Sequence, residues 1–258
     1  MNNIKKFENF NIQYDIFRYI KNNDIQLVKK PIDFGYDLNI ENSLGYTPLI
    51  LATLHNRIKI IELLLNVGAN VDKPDDDGNT PLTMATYNNN IKIVKLLLNA
   101  GADTDKQDNF GYTALIMAAF YNRIEIVKLL INAGTDINKQ NNDGNTALIL
   151  ATKYNRNDII EYLLNSGADI DKQNDGGNTA LIIAAYNNNR EVIELLLDYV
   201  ADEFILNNDN KSFYDHLNDE NKQYFLQNYP TNVYNAISHN YKKSFTEFVK
   251  DYNIKLKK

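Results

Sequence analysis

Acidic loops that precede glycines are the residues whose type and spacing could most readily bind a metal. Residues 75–78 are Asp-Asp-Asp-Gly, and residues 171–176 run from Asp to Gly through Lys, Gln, Asn and Asp. A calcium-binding EF-hand loop needs a glycine at its sixth position and an acidic ligand at its twelfth. The twelfth position of these two loops would be Met84 and Ile182, neither of which binds Ca²⁺ through its side chain. We therefore interpret the Asp-Gly sequences as tight turns.

The sequence contains few residues or motifs that could carry out catalysis. The sequence has no Cys, and therefore no disulfide, thiolate zinc site or thiol nucleophile. Its three histidines, His55, His216 and His239, are far apart and form no HExxH motif. The sequence also has no glycine-rich phosphate-binding motif and no motif of a catalytic triad. We expect no metal and no cofactor, and we predict that the protein is not an enzyme.

The charge distribution argues against nucleic acid as a partner. The net charge is −6, but residues 231–258 carry six Lys, one Glu and one Asp, a net +4. Residues 1–230 therefore carry −10, and an acidic surface repels a phosphate backbone. No run of about 18 apolar residues, as a membrane-spanning helix needs, occurs either. We expect a protein that works in the cytoplasm or otherwise inside a cell, and delivery into a host cell stays open.

The most prominent pattern is a repeat. The phrase Gly-x-Thr-(Pro/Ala)-Leu begins at Gly45, Gly78, Gly111, Gly144 and Gly177, always 33 residues apart and without an insertion or deletion. A strict period of this length is typical of a solenoid, in which each repeat buries its apolar face against its neighbours. Because solenoids present an extended surface, we look for a binding face before a catalytic centre.

Each repeat begins with a short helix. In the second repeat Thr80 is a helix N-cap and Pro81 fits the first helical position, which predicts a helix from about residue 81 to residue 87. The helix ends in a run of asparagines, and Asn is the residue, after Gly, that best tolerates the left-handed conformation at a helix C-terminus. The same position holds Asn in every repeat, at Asn56, Asn89, Asn122, Asn155 and Asn188.

A second helix and a loop complete the repeat. Residues 91–98 are apolar at helical spacing on more than one face, which predicts a helix that packs on both sides. Gly101 ends this helix, and residues 103–111 form a polar stretch rich in turn residues. We interpret that stretch as a hairpin-like finger that leads to the next repeat.

Helix, turn, helix and finger in 33 residues resemble the ankyrin repeat family. Residues 47–52 (Thr-Pro-Leu-Ile-Leu-Ala) and 80–85 (Thr-Pro-Leu-Thr-Met-Ala) are similar to the family's Thr-Pro-Leu-His-x-Ala. Three repeats have Ala in place of Pro, at Ala114, Ala147 and Ala180, and none has the family's His. The resemblance implies an all-α repeat solenoid, an ankyrin stack of helix-turn-helix units with β-hairpin-like fingers.

The resemblance also divides the chain into three parts. Residues 1–41 are expected to form an N-terminal cap with a degenerate repeat, in which Pro31 shortens or kinks the second helix. Residues 42–206 hold five full repeats, and residues 207–258 hold a degenerate C-terminal cap repeat plus an extra amphipathic helix. We predict that this extra helix runs from Tyr234 to about Tyr252 and packs on the cap through Ile237, Tyr241, Phe245 and Phe248.

In ankyrin proteins the fingers and the first helices line a concave groove, and the resemblance implies that a partner binds there. The variable positions of that groove hold many aromatic residues in this chain. Exposed aromatic side chains dominate the binding energy of many protein interfaces. We therefore predict a partner-binding surface of Leu44, Tyr46, Tyr87, Phe110, Tyr112, Phe120, Tyr121, Tyr154 and Tyr186. The alternative is that these rings only thicken the groove wall by packing on adjacent helices.

Three functions fit a repeat stack of this kind. The favoured one is a non-enzymatic interaction scaffold, expected to be a monomer, whose concave face binds another protein and neither nucleic acid nor membrane. The second is an adaptor or host-directed effector, in which the stack captures a target while residues 207–258 recruit a second component. The third is an accessory protein or inhibitor that covers the active site of another protein.

Overall fold

A computed structural model describes residues 15–237, 244–252 and 254, and divides into two compact units, Met1–Asp136 and Ile137–Lys258. The first unit contains α1 (residues 15–21), α2 (Ile25–Asp33), α3 (Pro48–Leu54), α4 (Ile58–Asn66), α5 (Pro81–Tyr87), α6 (Ile91–Asn99), α7 (Ala114–Phe120) and α8 (Ile124–Asn132). The second unit contains α9 (Ala147–Lys153), α10 (Asn157–Asn165), α11 (Ala180–Tyr186), α12 (Arg190–Asp198), a 3₁₀ turn (Tyr214–His216), α13 (Asp219–Asn228), α14 (Pro230–Ile237) and α15 (Phe245–Asp251).

Two layers of helices build the first unit. The short first helices α3, α5 and α7 contact one another in that order, and so do the longer second helices α2, α4, α6 and α8. Each pair α3/α4, α5/α6 and α7/α8 is a helical hairpin. Leu49, Leu82 and Leu115 of the first layer are 1% exposed, so the apolar faces of successive repeats cover each other.

The helix ends follow the sequence signals. The Thr80 hydroxyl accepts a hydrogen bond from the Thr83 N–H, and the threonine N-caps of the other four full repeats make the same bond. After the first helix, Asn89 has φ +54°, and Asn56, Asn122, Asn155 and Asn188 have φ between +53° and +59°. The chain therefore reverses at the same left-handed asparagine in every repeat, as the sequence predicted.

An acidic or amide side chain closes each finger. Asp108 Oδ1 accepts hydrogen bonds from the N–H groups of Phe110 and Tyr112, at 2.9 and 2.8 Å, and the Asp108 N–H donates to the Tyr112 carbonyl. At the other fingers one Oδ1 atom likewise accepts hydrogen bonds from the N–H groups two and four residues later. The residues that provide it are Asn42, Asp75, Asn141, Asn174 and Asn207. The fingers are thus hairpin-like Asx turns, and no residue in the described ranges belongs to a β-strand.

Neighbouring fingers approach closely at the motif glycine. Gly78 has φ +82°, and a Cβ atom built on it would lie 2.8 Å from the Asn109 N atom of the next finger. A side chain at residue 78 would therefore be strained and would push the two fingers apart.

Pro31 does not shorten the helix that contains it, which was one of the two effects predicted for this proline. α2 has nine residues, as α4 has, and Pro31 is buried in its last turn. At that position a proline removes only one hydrogen bond near the helix end, and its buried ring contributes to the core.

The sixth repeat is reduced. Ser212 lies 33 residues after Thr179, but it is followed by a three-residue 3₁₀ turn instead of a seven-residue helix. Just before it, Val200 of the fifth repeat stands where the first four full repeats have glycine, and it has φ +64°. α11 contacts this 3₁₀ turn as its next neighbour, and α13 follows the turn and is joined to α12 by the hydrogen bonds from Arg190 to Asn221.

The extra C-terminal helix is not continuous, which corrects the predicted helix from Tyr234 to Tyr252. α14 ends at Ile237 and α15 begins at Phe245, and the predicted contact residue Tyr241 lies outside the described residues. Ser244 caps α15 through a reciprocal pair of hydrogen bonds with Glu247, and its extended backbone rules out a helical Ser244. Phe248 is 0% exposed and contacts the rings of Tyr234 and Tyr252.

Candidate partner-binding surface

Four of the nine predicted residues form one chain of ring contacts in the first unit, here called the ring cluster: Tyr87, Tyr112, Phe120 and Tyr121. The Tyr87 and Tyr121 rings meet edge to face at a centroid distance of 5.1 Å. The Phe120 ring contacts Tyr121 at 4.7 Å and Tyr112 at 6.2 Å, again close to perpendicular. Edge-to-face geometry is the favourable arrangement of aromatic pairs, so the cluster has a defined shape before any partner binds.

Different elements hold these rings. Tyr87 is the last residue of α5, Phe120 the last of α7, and Tyr121 the C-cap that follows it. Tyr112 belongs to the third finger, where the side chain of Asp108 fixes its backbone. The cluster therefore joins one finger to the ends of two first helices.

The rings remain accessible in part. Tyr87 is 51% and Tyr121 37% exposed, whereas Tyr112 and Phe120 are half-buried. Partial burial raises the pKa of Tyr121, and the neighbouring Tyr87 raises it further against the opposing effect of Arg123. Tyr121 is therefore a neutral phenol near pH 7, with an apolar face and a hydroxyl that can form hydrogen bonds.

Acidic side chains lie on the finger next to the third one. The Asn109 N–H donates to the Asp77 carbonyl at 2.9 Å, and Asn109 Nδ2 donates to the Asp76 carbonyl at 3.0 Å. Asp76 and Asp77 are exposed, and Phe110, which follows Asn109, is 69% exposed. An apolar ring and two carboxylates thus occur side by side at the finger tips.

The other predicted residues lie outside the ring cluster. Leu44 is 61% exposed and Tyr46 is half-buried, both on the first finger, where their N–H groups donate to Asn42 Oδ1. Tyr154 and Tyr186 belong to the second unit. Tyr154 is 37% exposed, with the Lys153 ammonium 5.9 Å from its ring centroid.

Tyr186 borders a cavity of the second unit, here called the His216 cavity. It measures about 310 Å³ and is lined by Lys153, Asn174, Asn178, Ile182, Ile183, Tyr186, Asn187 and His216. The Tyr186 and His216 ring centroids are 5.9 Å apart. Tyr186 is 71% exposed, more than any other ring of the predicted surface.

The protonation state of His216 follows from its partner Asn207. The Oδ1 atom of Asn207 accepts two backbone hydrogen bonds, from Asp209 and Lys211, which fixes the orientation of the amide. Its Nδ2 atom therefore faces His216 Nε2, at 3.3 Å, so that Nε2 must be the acceptor and the proton lies on Nδ1. Burial, followed by the charge of Lys211, lowers the pKa of His216, in agreement with this neutral form.

Sequence reasoning missed two features of these sites. The first is the Asn or Asp residue whose side chain closes each finger. It lies three positions before the glycine that begins the repeat motif, and the sequence has Asn or Asp there in every repeat. The second is His216, which lies 33 residues after Ile183 and replaces an apolar side chain in that register. Among the described residues no group of three or more His, Asp or Glu side chains could hold a metal ion. Nor does any helix in the described part of the chain have the length and apolarity to cross a membrane.

The comparisons with known proteins agree with this architecture. A family model described as ankyrin repeats (3 copies) matches residues 16–108, 92–174 and 133–209, which together exceed half of the chain. Among solved structures, the crystal structure of the ankyrin repeat domain of Bcl-3, a member of the IkappaB protein family, is similar to this chain with a TM-score of 0.77 and 25% sequence identity. The similarity covers 82% of this chain and 96% of the Bcl-3 domain. The comparison with curated proteins gives no match. The chain belongs to the ankyrin repeat family.

Proposed function

We propose that this protein is a non-enzymatic scaffold that binds another protein through the face formed by its fingers and first helices. Ankyrin repeats are generally protein-interaction modules. The observation that carries the proposal is the ring cluster, since Tyr87, Tyr112 and Tyr121 expose aromatic surface at positions that the repeat fold does not require to be apolar. Pre-organised Tyr rings supply large contact area at small entropic cost on binding.

The charges next to the rings define the partner further. The exposed Asp76 and Asp77 lie beside Phe110, so a partner that places basic side chains at the finger tips and apolar ones on the rings would be complementary. Such complementary charges mainly accelerate association and select the partner, whereas the buried rings contribute most of the affinity. The site of action that we propose for this scaffold is the interior of a cell.

Substitution of the ring cluster tests the proposal. The variant Tyr112→Ala/Phe120→Ala/Tyr121→Ala is compared with the unmutated protein in thermal melting and in affinity capture followed by mass spectrometry. We expect a partner that the unmutated protein captures to be lost while the melting temperature changes little. Phe34→Ala is the matched control, because Phe34 is 67% exposed in the same unit and outside the ring cluster.

The outcomes separate the two roles of the rings. A steep fall in melting temperature would show that the rings serve the fold, as the alternative interpretation states. Unchanged melting together with unchanged capture would place the partner elsewhere. Capture by residues 207–258 alone would favour the adaptor function, in which this segment recruits a second component.

A further inference from the structure

The reduced sixth repeat creates the His216 cavity. In the first unit α3 is covered by α5, and α5 by α7, the first helices of the next repeats. Among the described residues, the 3₁₀ turn Tyr214–His216 follows α11 in place of a seven-residue first helix. The resulting cavity of about 310 Å³ is at the lower end of the ~300–1,000 Å³ typical of ligand sites, a size suited to one or two side chains.

The lining of the cavity is amphipathic. Ile182 is 2% exposed and Ile183 half-buried, and they provide aliphatic surface. Tyr186 and His216 provide two rings tilted by 60° at a centroid distance of 5.9 Å. The two rings contact each other, so an occupant lies beside them on the aliphatic surface of Ile182 and Ile183, which an aliphatic side chain complements.

Two hydrogen-bond donors on the lining have no protein acceptor. The Lys153 ammonium forms no ion pair with any described residue and lies 5.9 Å from the centroid of the Tyr154 ring. Asn178 uses its Oδ1 atom to accept from Asn207 Nδ2 at 3.0 Å, while its own Nδ2 atom donates to no acceptor in the described part of the chain. Both groups can therefore donate to an incoming ligand.

The formal charge on the lining is positive. Lys153 is the charged lining residue, because Asn207 holds His216 in its neutral form near pH 7. Lys211 and Lys222 act on His216 from outside the lining, as do Asp209 and Asp215. Asp215 Oδ2 already accepts hydrogen bonds from the N–H and the hydroxyl of Ser212, which reduces its effect on an occupant.

We propose that the His216 cavity binds a carboxylate side chain of a partner protein together with a neighbouring aliphatic side chain. The carboxylate accepts hydrogen bonds from Lys153 and Asn178, and the aliphatic group packs on Ile182, Ile183 and the Tyr186 ring. The site therefore takes an acidic-aliphatic segment, opposite in charge to the segment that fits Asp76 and Asp77. The inference rests on the proposed function only in assuming that the ligand is a protein.

Three defined peptides test the inference without a known partner. The probes are acetyl-Leu-Glu-Leu-amide, its Gln counterpart and its Lys counterpart, titrated into the full chain labelled with ¹⁵N. We expect the Glu peptide to shift the amide resonances of Tyr186, Asn187 and His216 and to bind about fivefold tighter than the Gln peptide, the upper range for an exposed ion pair. The Lys peptide should bind most weakly.

Two variants identify the cavity as the site. Lys153→Met should reduce the affinity for the Glu peptide to that for the Gln peptide, and Tyr186→Ala should weaken both peptides, while the exposed Lys95→Met is the charge-matched control. Equal affinity of the Glu and Gln peptides, an unaffected Lys153→Met, or no shifts at a peptide concentration of about 10 mM would each overturn the inference. These measurements do not involve the ring cluster. Failure of the His216 cavity proposal therefore does not affect the proposal for the ring cluster, and the reverse also holds.

Discussion

Val200 has a backbone conformation that its own side chain disfavours. Its φ is +64° and it is 82% exposed, whereas Gly68, Gly101, Gly134 and Gly167 occupy this position in earlier repeats. A left-handed L-residue costs roughly 1–2 kcal/mol, more than the ~0.5–1 kcal/mol of extra entropy that a glycine loses on folding. We therefore expect Val200→Gly to raise the free energy of unfolding by about 0.5–1 kcal/mol in urea denaturation.

Val67→Gly is the control for this prediction. Val67 is 44% exposed and also follows a second helix, but its φ is −100°, which valine adopts without strain. Glycine at residue 67 should lower the free energy of unfolding. An equal effect of both substitutions would contradict the strain argument.

His216 should make the second unit sensitive to mild acid. Its folded pKa lies below the unfolded value of 6.5, mainly through burial, so the unfolded state binds more protons in that range. The stabilisation is complete above pH 6.5 and is lost as the pH falls below 6.5 and through the lowered folded pKa. Protonation also places an N–H on Nε2 opposite Asn207 Nδ2, where both groups are donors. Denaturation midpoints between about pH 7.5 and 5.5 measure this loss.

His216→Gln removes the titrating group and keeps an acceptor for Asn207. The dependence of stability on pH should become flatter in this variant. His55, whose pKa is also lowered by burial and by Arg57 and Lys21, remains in both proteins and supplies the residual slope. An unchanged slope would show that His216 does not titrate in this range.

Residues with a strong intrinsic preference for one backbone conformation or one helix-capping role were predictable from the sequence. The N-cap threonines and left-handed asparagines follow from local chemistry, and α5 has the predicted bounds Pro81–Tyr87. The exposure of a ring depends on the next repeat instead. Tyr186 is 71% exposed, against 51% for Tyr87 at the equivalent position, because a 3₁₀ turn replaces the first helix that follows, and no local pattern reports that difference.

At the scale of elements, α14 and α15 should stabilise the end of the second unit. α14 contacts the 3₁₀ turn and α13, and buries Val233 and Ala236. Phe248 of α15 is fully buried against the Tyr234 and Tyr252 rings, at 5.5 and 5.0 Å. Truncation after Tyr229 should therefore lower the melting temperature, because it exposes this apolar surface.

A point variant keeps this prediction testable if the truncated chain aggregates. Phe248→Ala should cost ~3–5 kcal/mol, and Tyr252→Ala, at a residue that is 44% exposed, should cost less. Unchanged melting of both the truncated chain and Phe248→Ala would show that these helices are not a cap.

The division into α14 and α15 could have been predicted. Ser244 and Glu247 have the spacing of a capping box, a signal for a new helix. Apolar residues continue at helical spacing across this point, and this pattern favours one long helix over two short ones.

The burial of individual leucines in α8, in contrast, could not be predicted from the local sequence and depends on the packing of neighbouring helices. Leu129 and Leu130 are adjacent leucines, yet Leu130 is 0% exposed and Leu129 half-buried.

These adjacent leucines give a matched pair. Leu130→Ala should lower the free energy of unfolding by ~2–5 kcal/mol, because packed neighbouring helices cannot close the void. Leu129→Ala should cost less, since part of its side chain already faces water. Equal losses in urea denaturation would contradict the burial difference.

At the scale of the whole molecule, the repeat composition predicts an elongated monomer. Each solenoid repeat contacts only its neighbours, so added repeats lengthen the protein instead of forming a common centre. Small-angle X-ray scattering should give a radius of gyration larger than the roughly 18 Å that the globular scaling law gives for a chain of this length. A value at the globular limit, or a mass of two chains, would contradict the prediction.

The closed fingers also determine how this protein can change during evolution. Asp108 holds its turn through its own carboxylate, and the neighbouring finger is linked through backbone atoms such as the Asp77 carbonyl and the Asn109 N–H. The side chains of Asp77 and Phe110 take no part in these bonds. Mutations at the finger tips can therefore change the partner without first destabilising the protein, so new binding specificity can accumulate in small, individually tolerated steps.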